Sequence, residues 1–330
     1  MPDVISMIKP TTRQGWLAWV LFIFIIIFSF SSEQFLTLQN LLDLAETYAV
    51  MGIFALGLFV VLVTGGIDIS FAAVASVTQY LIATLFVRYG FDNALLSILL
   101  AILVGALLGV VNALLIYGFR IVSIIITISM QSLLFGMLMW ITEGRSLYDL
   151  PEWWVTLHTV LPFTLGGQQY QLGLPLLIML CVALFTWFLL NKTHLGRQLY
   201  ATGGDQESAR RIGIRVGLIH LVAYGYLGAL AALGGLVQVY RVGEVVPNAL
   251  VGGELDVLAA TVLGGASLMG GKGSVGGTLM GVFLIAILKN GLNLIGVSSY
   301  FMNIVIGIVI MVAITVTHYK KRKETDVSFV

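Results

Sequence analysis

Ten apolar stretches occupy most of this 330-residue chain, and they constrain its fold more than any other feature. Their limits lie near 15–32, 44–63, 71–89, 94–118, 121–141, 172–190, 217–240, 255–268, 275–296 and 299–318. At 1.5 Å per residue, most of them reach across ~30 Å of hydrocarbon with some tilt. Residues 255–268 are too few for that and are expected to form a half-helix or re-entrant element whose backbone is covered by neighbours. The expected fold class is all-α: a polytopic membrane helical bundle of about ten transmembrane segments, one of them short or re-entrant, forming a single transmembrane domain over 1–330.

Composition excludes the main alternatives. Charged residues make up 10% of the chain, against about 25% in an ordinary soluble domain. So few charges cannot cover a globular surface, which rules out a soluble enzyme or a disordered chain. The net charge of +1 and the absence of a broad basic patch exclude a nucleic-acid partner. The single cysteine, Cys181, allows no intrachain disulfide or thiolate cluster. His158, His194, His220 and His318 include no pair at helical ligand spacing, so no metal site is expected. Lys9 and Arg13 precede the first apolar run, which ends in Ser-Phe-Ser-Ser with no small-x-small cleavage site; it reads as an uncleaved helix.

Alternating the sides from a cytoplasmic N-terminus puts Lys9, Arg13, Arg120, Lys192, Arg197, Arg210, Arg211, Arg215, Lys272, Lys320, Lys321, Arg322 and Lys323 inside. Arg88, Arg145, Arg241 and Lys289 fall outside, a split of 13 to 4 among the 17 cations. The bias selects an N-in, C-in topology.

Two polar stretches interrupt the apolar pattern. Residues 142–171 form the expected outer loop, in which Trp153 and Trp154 suit either an interfacial anchor or a docking surface for an external partner. The expected cytoplasmic loop, 191–217, carries five of the inner cations. Within it Asp205 is a good N-cap, Ser208 follows three residues on, and Gly213 can end a helix over about 206–212. So short a helix needs a packing partner, and Ala209 and Ile212, three apart, are expected to share its apolar face.

Thr64-Gly65-Gly66-Ile67-Asp68-Ile69-Ser70 separates the second and third apolar segments. Its glycines permit a break or tight turn. A carboxylate at membrane depth costs roughly 2.5–3.5 kcal/mol on insertion scales and faces water or a partner. Asp68 therefore either caps the third helix, lines a permeation route, or does both. Gly105, Gly109, Asn112 and Ile116 share a face of the fourth segment, the pattern of close packing with one interhelical hydrogen bond. Gln79 and Thr78, like Gln131 and Ser132, can bond either a polar solute or another helix. Thr278, Gly281, Lys289 and Asn293 share a side of the ninth segment, where Lys289 is expected to snorkel.

The stretch Leu263–Gly277 imitates a phosphate loop around Lys272, but Ala266 stands where the first Gly belongs and Gly273 replaces the Ser/Thr. It reads as a close-packed turn. With no nucleotide site, no Ser/His/Asp set, no paired intramembrane carboxylates and no HExxH, the chain is not expected to be an enzyme, and any ATP hydrolysis belongs to another polypeptide.

Three stretches resemble one family. Gly65-Gly66-Ile67-Asp68-Ile69-Ser70 looks like the hallmark of the permease subunits of bacterial ABC importers for ribose, xylose, galactose and related sugars. His194-Leu195-Gly196-Arg197-Gln198-Leu199-Tyr200-Ala201-Thr202-Gly203-Gly204-Asp205, followed by Ser208-Ala209-Arg210-Arg211-Ile212-Gly213-Ile214, is similar to that family's cytoplasmic G-R-x-x-Y-A-x-G-G-N-x-x-A-A-R-x-x-G-I segment. Gly253-Glu254-Leu255-Asp256-Val257-Leu258-Ala259-Ala260-Thr261-Val262-Leu263-Gly264-Gly265 is similar to its G-x-E-L-D-x-I-A-A-x-V-x-G-G region. Asp205 stands where the family usually has Asn, Ser208 where Ala is common, and Phe71-Ala72 where sugar members often have Val-Gly.

The resemblance implies a multi-pass subunit of the bacterial inner membrane. It implies a second, identical or homologous permease, two ATP-binding subunits that carry ATP-Mg, and a periplasmic solute-binding protein. Gly196, Arg197, Asp205, Ala209, Arg210, Ile212 and Gly213 become the candidate coupling residues toward the ATPase. Thr64, Gly65, Gly66, Asp68, Ser70, Gln79, Asn112, Gln131 and Ser132 become candidates for the translocation path or gate. A monosaccharide is the expected solute, with a nucleoside, polyol, autoinducer-type sugar or branched-chain amino acid as alternatives. A stand-alone channel or secondary carrier explains the spans and leaves the capped basic loop without a purpose.

Overall fold

The computed structural model describes residues 13–90, 93–152, 154, 161–165, 167–309 and 311–312. Lys9, Trp153, His158, His318, the four terminal cations and the end of the stretch 299–318 lie outside them.

The chain is a helical bundle of the multi-pass membrane type. In order it forms α1 (Arg13–Ser31), α2 (Leu38–Thr47), α3 (Ala49–Val63), α4 (Phe71–Tyr89), α5 (Ala94–Phe119) and α6 (Ser123–Thr142). Strands β1 (Leu161–Leu165) and β2 (Gln168–Leu172) follow, then α7 (Leu174–Lys192), α8 (His194–Gly204), α9 (Gln206–Arg211), α10 (Val216–Val242), α11 (Glu254–Leu263) and α12 (Val275–Leu294). A further apolar helix, α13, spans Ser299–Val309. Among the described residues, six helices are long and apolar enough to cross a membrane, or seven if α2 and α3 count as one span bent by 46°.

Helix α3 is the centre. Its residues from Ile53 to Val63 are buried on every side, with Leu56, Leu58, Phe59 and Leu62 wholly enclosed. A helix apolar all round belongs in an interior. Around it α5, α6 and α7 carry exposed apolar residues; Leu99, Leu103 and Leu107, each four apart, are all 55% exposed. That stripe suits lipid or a partner.

Lipid is as apolar as leucine, so close approach and hydrogen bonds hold such helices together. The α5–α10 contact shows this directly. A Cβ on Gly105 would lie 2.2 Å from the Gly228 carbonyl oxygen, and one on Gly109 would lie 2.1 Å from the Tyr224 carbonyl oxygen. The α11–α12 contact uses the same device, because a Cβ on Gly281 would sit 1.9 Å from the Ala260 carbonyl oxygen. Helix α11 has 10 residues, which agrees with the expected short element.

The structure corrects several expectations. The fold is not purely helical: β1 and β2 pair antiparallel, Leu161 opposite Leu172, with the Phe163 and Tyr170 rings stacked at 5.6 Å. The turn needs Gly167 at φ +85°, a backbone that suits glycine. Trp154 is neither an interfacial anchor nor an exposed docking residue. It is buried, and its Nε1 donates to the Leu236 carbonyl of α10 at 3.3 Å. Lys289 does not snorkel: its Nζ meets Asp256 Oδ2 of α11 at 2.6 Å.

The 191–217 loop is more helical than expected. Thr193 caps α8, accepting from the Gly196 amide. Helix α9 ends at Arg211, and Ala209 and Ile212 do not share a buried face: Ala209 is enclosed while Ile212 is 75% exposed. The chain leaves helical geometry at Ile212, which turns that side chain away from the helix face.

Candidate functional site

Two groups of candidate residues sit at the same end of the bundle. The first surrounds Asp68, in the break between α3 and α4. Thr64 and Gly65 close α3, and Gly65 takes φ +84°. Gly66 is pressed against Tyr224, whose hydroxyl would be 2.4 Å from any Cβ there. Asp68 is then enclosed with three donors. Its Oδ1 accepts from the Ser70 amide and the Ser70 hydroxyl, both at 2.7 Å. Its Oδ2 accepts from Asn112 Nδ2 of α5 at 3.3 Å, and the same Nδ2 donates to Ser70 Oγ at 2.8 Å. No Lys or Arg among the described residues forms an ion pair with it.

The capping expectation is thus met in a modified form. Asp68 holds the amide of Ser70, the residue just before α4, and leaves the amides of the first turn alone. The expected interhelical bond of Asn112 goes to this break and not to the helix facing Gly105 and Gly109. Ser123 Oγ at the start of α6 accepts from the Ile67 amide at 3.0 Å. The break is therefore tied to both α5 and α6.

The other polar candidates are not gathered with Asp68. Gln79 is buried in α4, and its Nε2 donates to the Val246 carbonyl at 3.3 Å. Gln131 Nε2 of α6 donates to the buried Glu254 carboxylate of α11 at 2.7 Å. Both glutamines bond protein partners in this conformation. Ser132 lies on the exposed face of α6.

The second group is α8 and α9. Gly196 permits the tight turn from α7, since a Cβ there would lie 2.2 Å from the Leu190 carbonyl oxygen. Asp205 caps α9: Oδ1 accepts from the Glu207 amide at 2.9 Å, and Oδ2 accepts from the Ser208 hydroxyl at 2.8 Å. These donors, the Ser208 hydroxyl first, hold the Asp205 carboxyl below its ordinary value. At the other end the Gly213 amide donates to Arg210 O and the Ile214 amide to Ala209 O, both at 3.0 Å, with Gly213 at φ +88°. That double bond pattern is a Schellman ending and needs the left-handed glycine.

A six-residue helix closed at both ends presents a defined surface. Arg210 reaches over the Tyr117 ring of α5, 6.0 Å from its centroid. Gln206 Nε2 approaches His220 Nε2 of α10 at 3.4 Å. Exposed Arg197 and Ile212, with His194, Gly213 and Ile214, line a groove of about 460 Å³ beside the helix. At the far end of α3 a polar groove of about 290 Å³ is lined by Gln39, Asp43, Glu46, Gln169 and Gln171.

Sequence reasoning missed Tyr117, Tyr200, Gly203, His220, Tyr224 and Glu254. Gly203 had a visible signal: two adjacent glycines in the last turn of a helix, where glycine weakens the helix unless something else demands it. Tyr200 stood in the G-R-x-x-Y-A-x-G-G stretch quoted above, whereas Tyr117 and Tyr224 had no signal, because nothing local distinguishes them from other apolar-face residues.

The chain matches the family model described as branched-chain amino acid transport system / permease component over residues 40–314. It is similar to the ribose import permease protein RbsC of Escherichia coli (strain K12), 36% identical over 309 residues, covering 91% of this chain and 92% of that protein. It is similar to the ribose import permease protein RbsC of Bacillus subtilis (strain 168), 38% identical over 302 residues and 91% of each chain. The D-allose transport system permease protein AlsC of Escherichia coli (strain K12) is 31% identical over 297 residues, 90% of this chain and 89% of that protein. No solved structure matches the chain.

Proposed function

Since the chain belongs to the branched-chain amino acid transport system / permease component family, we propose that it is the transmembrane permease subunit of an ATP-driven ABC importer that moves a monosaccharide across the bacterial inner membrane. The observation that carries the sugar reading is the similarity, along nine-tenths of the chain, to permeases named for ribose and allose.

The chain sits N-in and C-in with about ten transmembrane segments; the cation distribution supports that orientation. The α9 end then faces the cytoplasm, and the groove of Gln39, Asp43 and Glu46 faces the periplasm, where a solute-binding protein delivers its load. Helix α9 docks on one of two ATPase subunits. Its caps support this reading, since a surface that receives a push must keep its shape. Exposed Arg197, Arg210 and Ile212 provide cationic and apolar contacts. ATP-Mg binds and reacts on the ATPases. This chain supplies the path, together with a second permease against its exposed α5–α7 face.

In this scheme the Asp68 break lies just above the docking end. Its hydrogen bonds to Ser70 and Asn112 hold α4 and α5 in register while α9 is displaced. Gln131 and Glu254 then become available to solute hydroxyls only when α6 and α11 separate.

The test is reconstitution in liposomes with an ATPase subunit and a binding protein encoded beside the chain. Uptake of labelled D-ribose, D-allose and L-leucine is measured with and without ATP. ATP-dependent accumulation of a sugar supports the reading. Accumulation of leucine instead would move the substrate to the amino-acid class, and solute flux through the purified chain without ATP or partners would make it a channel or carrier.

A further inference from the structure

Three segments far apart in sequence, the end of α3 with Gly65, the last turn of α8 and the glycine turn that follows α11, touch backbone to backbone at one point. The Val63 carbonyl at the end of α3 accepts from the Gly271 amide at 2.9 Å. Gly203, in the last turn of α8, fits against both: a Cβ there would lie 1.7 Å from the Val63 oxygen and 2.6 Å from the Gly271 nitrogen. A Cβ on Gly270 would lie 2.6 Å from the Gly203 oxygen and 2.9 Å from Gly65 Cα. Tyr200, one turn back on α8, donates from its hydroxyl to the Gly273 carbonyl at 3.1 Å.

Side chains absorb small displacements by changing rotamer, whereas close-packed backbone has no such slack. A push on α9 therefore passes through α8 into two elements at once. One is α3, which is buried on all sides and runs on into the Asp68 break. The other is the 264–274 turn, which joins α11 to α12. A contact of this kind converts a small movement at one site into a shift between discrete packings elsewhere.

We propose that Gly203 is a positioning residue for translocation: its side-chain-free contact with Val63 and Gly271 carries the displacement of α8–α9 into α3 and the α11–α12 turn. The proposal rests on the ABC importer reading above.

The neighbouring glycine supplies a matched control. A Cβ on Gly204 meets nothing within 4 Å, and both residues lie in α8. Gly203→Ala and Gly204→Ala are each assembled with the ATPase subunits and binding protein in liposomes. Labelled D-ribose taken up per ATP hydrolysed, the KM for ATP and the melting temperature are measured. Gly203→Ala is expected to hydrolyse ATP with unchanged KM while its uptake per ATP falls roughly tenfold. Gly204→Ala is expected to match the wild type. If Gly203→Ala does not assemble, Tyr200→Phe, which deletes one hydroxyl, is the readout; its uptake per ATP is expected to fall about threefold at a near-constant melting temperature. Wild-type uptake per ATP in Gly203→Ala, or in Tyr200→Phe where that is the readout, overturns the inference alone. A wild-type complex whose uptake needs no ATP overturns the importer reading, and this inference with it.

Discussion

Asn112 Nδ2 stands 3.3 Å from Asp68 Oδ2 and 2.8 Å from Ser70 Oγ, so a single amide of α5 closes the hydrogen-bonded break between α3 and α4. The two residues lie 44 positions apart and are both buried. Replacing Asn112 by Ala strands a buried carboxylate oxygen, for which about 1–3 kcal/mol of stability is expected to be lost. Thermal unfolding of the detergent-solubilised chain measures this. Asp68→Asn combined with Asn112→Ala is expected to lose less than the sum of the single changes; strict additivity would mean that the pair does not interact.

Gly109 gives a second prediction. Its missing Cβ is what lets α5 approach α10, so Gly109→Ala forces a steric conflict with the Tyr224 carbonyl. A loss of about 1–3 kcal/mol is expected. Gly118→Ala, on the same helix with nothing within 4 Å of its Cβ, is expected to leave the melting temperature unchanged or raised.

The ion pair between Lys289 and Asp256 ties α12 to α11 with both side chains about two-thirds covered. Lys289→Met leaves the carboxylate alone and is expected to cost about 1.5–3 kcal/mol. Adding Asp256→Asn removes the unpaired charge and is expected to recover part of that loss. A loss in the double variant equal to the sum of the losses in Lys289→Met and Asp256→Asn would show that the pair contributes nothing.

Asp205 predicts a pH dependence confined to acid. The Ser208 hydroxyl and the Glu207 and Ser208 amides depress its folded value below the ordinary 3.8. A depressed carboxyl stabilises above its unfolded value and loses that contribution as pH falls through the folded one. Hydrogen exchange at the Glu207 and Ser208 amides, corrected for intrinsic rates, is therefore expected to stay level from pH 5 to 8. Asp205→Ala is expected to raise exchange across that whole range, while Asp205→Ser, another N-cap former, is expected to restore most of the protection.

Orientation is tested with single cysteines in a Cys181→Ser background. A membrane-impermeant maleimide applied to intact spheroplasts is expected to modify Asp43→Cys and spare Glu207→Cys, and in inverted vesicles the pattern is expected to reverse. The opposite pattern would invert the topology.

The legible parts of this protein were those set by neighbours in sequence. The apolar stretches predict the long helices because membrane partition is a sum over adjacent residues, and among the described residues each of the ten stretches holds a helix. The ends of α9 were readable from Asp205 and Gly213, since a cap is a contact over two or three residues. Three motifs of glycine, acid and base also placed the chain in its family. The hairpin of β1 and β2 escaped notice because two five-residue strands give little periodicity inside a long polar loop.

Tertiary structure decided the rest. It gave Lys289 a partner 33 residues away, turned Trp154 into the core, and set Gln131 on Glu254 across 123 residues. It also brought Gly65, Gly203 and Gly270 to one point. Each of those outcomes depends on the distance between segments that the chain joins only through long excursions. Sequence records the capacity of a residue to bond or to be small, and the packing of helices determines which partner is within reach.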